Sequence, residues 1–246
     1  MNYSFTPGTP GVYDIGALQS FVDSLETDEE QHHSMVVLLN LKNLNGYVND
    51  YASAVGLRRY VQGLREEVLH NVASGTLDFT NQMHMLKNWD EMAGREASMT
   101  VYHVGKTLEQ IKDNLRFTKT IASDSDSDAL RRASSELERA FPNFEIARNA
   151  AGHRAEAFAS LERMKSNAID VEEGKKLLIG SMDGDEYVTT FKKKLLKVPL
   201  TEEARRRLNG VVALIYSAFP KLQSMLPPLN FGVQASAGNE APSGKL

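Results

Sequence analysis

Cysteine is absent from this 246-residue chain, which removes disulfides, thiolate nucleophiles and cysteine-ligated zinc or iron–sulfur clusters from consideration. Tryptophan occurs once and proline eight times, so long helices have few built-in breaks. No apolar run approaches the roughly 20 residues that span a bilayer; the longest candidate, residues 211–219, is interrupted by Tyr216 and Ser217. The first residues carry neither a basic nor an apolar signal region, so a cytoplasmic protein without membrane attachment is expected. Glycine-rich phosphate loops and serine-nucleophile elbows are also missing. What remains is ordinary globular composition, 41% hydrophobic and 24% charged, long enough to bury a substantial core.

A net charge of −4 exerts no global pull on nucleic acid or anionic lipid. The charge is unevenly spread, however. Residues 1–50 hold seven acidic side chains and one lysine, whereas residues 175–207 hold nine basic against five acidic ones. Within that second stretch Lys192, Lys193, Lys194, Lys197 and Arg205 form a candidate basic face for a nucleic-acid backbone.

Hydrophobic periodicity predicts a mainly α protein: an antiparallel helical bundle with a small antiparallel β-meander or hairpin before the last helix. Residues 1–13, with two prolines and two glycines, read as an extended arm. A single helical domain is expected over 14–226, and a disordered Gly/Ala/Ser/Asn tail over 227–246. Apolar residues at three- and four-residue steps place helices near 14–25, 29–53, 57–73 and 80–117. Met85, Trp89, Met92 and Met99 are expected inside the last of these. Asp126 or Ser127 caps a helix over 128–140. Pro142 precedes a further helix over 144–167, and Thr201 caps the last one, over 202–219. Between them, 176–182, 186–192 and 195–200 read as strands joined by tight turns at Asp183-Gly184-Asp185 and Lys193-Lys194.

One stretch combines the residue types that metal-independent RNA cleavage needs. Such cleavage takes a base to activate the ribose 2′-hydroxyl and a cation to hold the charged phosphate. Histidine suits the first task, and arginine, with its planar fork, the second. Arg148 is followed directly by Asn149 and, after three more residues, by His153. Arg65 and His70 share the spacing, but Glu66 follows that arginine. The Arg148 stretch resembles the motif of HEPN domains, helical bundles whose nuclease members carry Arg, often a polar residue, and then His. The resemblance covers about six residues in a helical setting. It implies a metal-independent endoribonuclease of a bacterial stress, toxin or defence system, with RNA as substrate, no cofactor, and an antitoxin as a protein partner. His153 would be the acid or base, Arg148 the phosphate clamp and Asn149 the orienting amide. HEPN domains also include members without nuclease activity.

Helix geometry constrains that reading. Residues five apart lie about 140° apart, so Arg148 and His153 do not share a face. Their convergence requires a bend near Gly152 or a homodimer, which the resemblance implies. Ala147, Ala151, Gly152, Ala155 and Ala159 are small enough for close approach of a second helix. Tyr102 and His103 on the long helix, and Glu156, are the expected lining of the site. In the competing reading the protein is a non-catalytic interaction or dimerisation module, with Arg148 paired to Glu145 and His153 bonded to Glu156 or Asn149. A third reading places a metal on Glu-x-x-His pairs, namely Glu29/His32, Glu30/His33 and Glu67/His70. Asp124, Asp126 and Asp128 imitate a calcium loop, but Ala129 and Ser135 occupy its two most restrictive positions.

Overall fold

The computed structural model describes residues 15–72, 79–152, 156, 159–172, 175–177, 179–222 and 225–226. The expected arm, the expected tail and His153 lie outside these. Among the described residues the chain is mainly α, with a three-stranded antiparallel sheet preceding the last helix. The helices are α1 (Ile15–Asp23), α2 (Asp28–Val72), α3 (Phe79–Leu115), α4 (Lys119–Ser123), α5 (Ser127–Ala140), α6 (Phe144–Gly152), α7 (Leu161–Asn167) and α8 (Glu202–Ser217). The strands are β1 (Ile169–Glu172), β2 (Lys175–Leu177), β3 (Gly180–Asp183), β4 (Glu186–Phe191) and β5 (Lys194–Pro199).

Two long helices form the frame. Val37, Leu41, Leu44, Val48, Tyr51, Val55 and Arg58 are buried along α2, and Leu86, Asp90, Ala93, Ala97, Thr100, Val104, Thr107 and Ile111 along α3. Both series alternate steps of four and three, the spacing that keeps a seam facing its partner. Contacts between His33 and Asn114, Tyr47 and His103, and Arg58 and Asp90 show that the helices run antiparallel.

The α2 helix corrects the expectation of two helices, 29–53 and 57–73. Gly46, Gly56 and Gly63 all fall on its exposed side, with open space where a side chain would be. They weaken the helix without breaking it, because the opposite face is held by packing. The expected methionine core is also corrected. Met85 and Met92 are 42% and 52% exposed, and Trp89 and Met99 only half-buried. The seam runs through Leu86, Asp90 and Ala93, small or charged residues that hydrophobicity alone undervalues.

Asp90 sits in that seam between two arginines. Its carboxylate accepts from Arg58 at 2.9 Å and Arg65 at 2.5 Å, while Arg58 also donates to the Gly184 carbonyl at 2.5 Å. The β3–β4 turn is thereby tied to the middle of α2. Gln62 reinforces the tie by donating to Asp185 at 2.8 Å. Removing one partner of such a buried pair typically costs about 3–5 kcal/mol, since the other charge is left uncompensated.

The outer elements dock on α3 through two glycines. The Tyr187 ring of β4 occupies the space where a Gly94 side chain would stand, and the Phe144 ring of α6 does the same at Gly105. Residues eleven apart fall within about 20° on a helix, so both notches open on one side of α3. That side therefore receives the sheet and α6 next to each other. Tyr187 and Val198, and Thr189 and Leu196, are register partners and share the helix-facing side of the sheet. The α8 helix lies across α2, where Tyr216 donates to the Leu41 carbonyl at 3.0 Å. Leu208, Val211, Val212 and Ile215 are buried, as the periodicity indicates.

The expected helix over 144–167 is not continuous. Ser160 is extended (φ −154°, ψ 158°) and its hydroxyl accepts from the Arg163 amide at 3.1 Å, starting α7 anew. The expected strand over 176–182 is divided as well: β2 pairs with β1 in a separate hairpin, and β3 joins the main sheet. Asp126 caps α5, accepting from the Asp128 and Ala129 amides at 2.9 and 3.0 Å.

The glycines give opposite expectations under substitution. Gly46→Ala, Gly56→Ala and Gly63→Ala should each raise stability by about 0.5–1 kcal/mol in urea titrations, because alanine costs the helix less. Gly94→Ala and Gly105→Ala should each lower it by about 1–3 kcal/mol through overpacking. Equal effects at all five positions would contradict the docking described here.

Candidate nucleic-acid interface

The Arg148 stretch lies at the end of α6, where that helix passes between α3 and the sheet. Successive helical residues diverge by about 100°, so Arg148 and Asn149 point to different neighbours. The Arg148 guanidinium carbon stands 4.9 Å from the Tyr102 ring centroid, over its face. Its Nη1 donates to the Asn149 side-chain oxygen at 3.1 Å. With that oxygen engaged, the Asn149 amide nitrogen is left as the donor. Tyr102 therefore does approach Arg148, as the sequence suggested. His103 stacks on Tyr47 of α2, with centroids 5.3 Å apart, and meets the Tyr102 ring edge-on at 5.8 Å.

Glu145 does not pair with Arg148. It accepts from Lys106 at 2.5 Å, and Lys106 also donates to Glu109 at 2.8 Å. The two carboxylates, Glu109 foremost, hold the lysine ammonium above the ordinary lysine range. The small-residue face expected to receive a second chain is used internally. Ala147 and Ala151 are buried in the chain's own core, because α3 and the sheet need close approach there. Gly152 and Ala159 are exposed; Ala155 lies outside the described residues.

Beyond Asn149 a groove of about 760 Å³ opens between the end of α6, α7 and the tip of the β4–β5 hairpin. Asn149, Glu156, Arg163, Ser166, Asn167, Phe191, Lys192 and Lys193 line it. Among the described lining residues three cations thus face one anion, Glu156. The basic stretch inferred from sequence contributes only its tip. Lys194 is exposed directly across from Phe191, at the edge of the site. Lys197 belongs to the opposite side of the sheet, where it donates to Glu186 at 2.6 Å; side-chain alternation along β5 puts it there. Arg205 lies beyond the far end of β5, about 20 Å from the tip at roughly 3.4 Å per residue. It is held by Glu202 at 2.7 Å.

The hairpin tip is conformationally costly. Phe191 pairs with Lys194, so Lys192 and Lys193 form a two-residue loop. Both occupy the left-handed region, at φ 47° and 61°. A loop with positive φ at both central positions favours Asn-Gly, and two lysines there are strained. The buried Asn167 steadies the tip, its side-chain oxygen accepting from the Lys192 amide at 3.2 Å. Arg163, Asn167 and Phe191 were not singled out from sequence. The signal that was available is Phe191 immediately before three lysines, an aromatic beside a run of cations.

The metal readings lose their expected geometry. His33 is 2.7 Å from the Asn114 side-chain oxygen and stacks on Phe117. Glu30 accepts from the Thr120 amide at 2.7 Å. Among the described residues no three His, Asp or Glu side chains gather in a metal-sized group. A larger groove, about 1400 Å³, separates α5 from α8. Its arginines, Arg131, Arg132, Arg139 and Arg207, are each held by a neighbouring acid, so its charge is largely spent internally. Among the described residues no helix is long and apolar enough to cross a membrane.

No protein-family model, curated protein or solved structure matches the chain.

The strained tip carries a direct expectation. Replacing Lys192 by Asn and Lys193 by Gly together should raise stability by about 1–2 kcal/mol, by relieving the left-handed backbone. Urea denaturation measures this, and an unchanged or lower stability would show that the lysines are not strained.

Proposed function

We propose that this protein is a HEPN-like RNA-binding protein whose RNA backbone lies in the groove between α6, α7 and the β4–β5 tip, with cleavage carried out by Arg148 and His153 without a metal. One observation carries the reading: Asn149, of the Arg–Asn–His stretch, lines the same groove as Lys192, Lys193 and Arg163. Those residues are far apart in sequence and arrive from three separate elements. Cations around an amide donor suit phosphate oxygens, which accept hydrogen bonds and carry charge. Retaining two strained lysines at a turn that would accept Asn-Gly fits strain kept for function.

In the nuclease mechanism His153 would take the proton of the ribose 2′-hydroxyl as that oxygen bonds to phosphorus, the P–O5′ bond would break with the 5′-oxygen taking a proton from water, and Arg148 would neutralise the phosphate throughout. Asn149 holds Arg148 through its oxygen and presents its nitrogen to the phosphate. The homodimer belongs to this reading as its means of bringing Arg148 and His153 together. It would join through a surface other than Ala147 and Ala151.

The non-catalytic module has one observation in its favour, the seating of Arg148 over Tyr102. There the arginine serves the packing of α6 on α3 and not a phosphate. RNA incubated with the protein in EDTA separates the two. The nuclease reading expects cleavage by the wild type and its loss in Arg148→Ala and His153→Ala. Intact RNA with all three proteins, each shown folded by circular dichroism, would leave a binding module and end the nuclease reading.

A further inference from the structure

We infer that the groove takes an unpaired RNA strand and stacks one of its bases on the ring of Phe191, flanked by phosphates held at Lys193 and Arg163. The inference rests on the RNA-binding reading above and adds to it the state of the strand and the residue that receives the base.

Phe191 ends β4 on the helix-facing side of the sheet. It is half-buried, packs partly against the main core and also lines the groove. The core contact fixes the ring. Lys192 extends its Nζ to 5.5 Å from the ring centroid, and only this flexible chain end need move for a base to enter. A nucleobase offers an aromatic face to such a ring and a partial negative edge to a lysine. The same groove provides charge, from Lys193 at the strained tip and Arg163 on α7, with Ser166 and Asn149 as polar neighbours. Glu156 is the one carboxylate among the described lining residues. Base platform, flanking cations and polar rim are the parts that single-strand sites combine. Bases in a duplex keep both faces stacked on their neighbours and offer none to Phe191.

Binding of a fluorescently labelled 10-nucleotide RNA (length about that of known single-strand sites) to the full chain tests this. Competitors are the same RNA as a duplex, a DNA strand of the same sequence, and inorganic tripolyphosphate. Phe191→Leu should weaken the RNA strand by about 5- to 100-fold and leave tripolyphosphate binding unchanged. Phe191→Trp should keep strand affinity and show emission quenched on binding, which also guards against misfolding of the leucine variant. The Lys192→Asn/Lys193→Gly variant should weaken strand and tripolyphosphate alike. If Phe191→Leu binds the strand as wild type does while the lysine variant does not, the base platform is wrong and the backbone groove stands. If wild type binds no strand, both readings fail. A duplex or DNA strand bound more tightly than the RNA strand would also overturn the inference.

Discussion

Two glycine notches on α3 determine where everything else lies. Gly94 admits the Tyr187 ring and Gly105 the Phe144 ring, and because both open on one side of the helix, the sheet and α6 must settle next to each other. The candidate groove follows from that placement. Its floor and walls come from the end of α6, from the hairpin tip that extends past the sheet, and from α7, whose Asn167 ties itself to that tip. A side chain at either notch would displace an aromatic ring, the buried Tyr187 or the half-buried Phe144. The site is thus built on rigid elements, although Lys192 and Lys193 sit on a turn.

The Asp90 cluster complements the notches. Aromatic packing positions the sheet laterally, while Arg58, held by Asp90, reaches the Gly184 carbonyl and fixes the far turn along α2. A buried ion pair adds little net stability over apolar packing, but it penalises wrong registers heavily. An α2–α3 pair with a regular three–four seam has several sliding alternatives. Placing a charge at Asp90 leaves one in which both arginines reach it.

Much of the architecture was legible in residue types with local consequences. Asp126 and Thr201 cap helices where expected, Gly184 makes its turn, and the apolar series of α8 faces inward. Misreadings arose where tertiary packing outweighs local pattern. The break expected between residues 53 and 57 is one that the buried seam of α2 does not allow. Met85 and Met92 are strongly apolar yet stand one position off a seam made of Leu86, Asp90 and Ala93. At the site, Asn149, Lys192 and Lys193 could be named from sequence because each belongs to a local motif. Lys197 and Arg205 belong to the same basic run, and only the alternation and length of β5 take them away from the groove. Arg163, Asn167 and Phe191 have no local mark, since their relation to Asn149 exists only in three dimensions.

Functionally, the account joins a compact cationic groove to an arginine that α6 holds just behind it. The protein's overall acidity makes the groove's local charge the deciding term, because no general attraction brings RNA to the surface. The most direct measurement is therefore the salt dependence of RNA-strand binding. With Lys193, Arg163 and Arg148 each neutralising a phosphate, log Kobs should fall against log salt with a slope of about −2, at roughly −0.7 per contact on a single strand. In the Lys192→Asn/Lys193→Gly protein the slope should shrink to about −1.4, reflecting the two remaining cations. A slope that the double substitution leaves unchanged would place the RNA elsewhere and contradict the account.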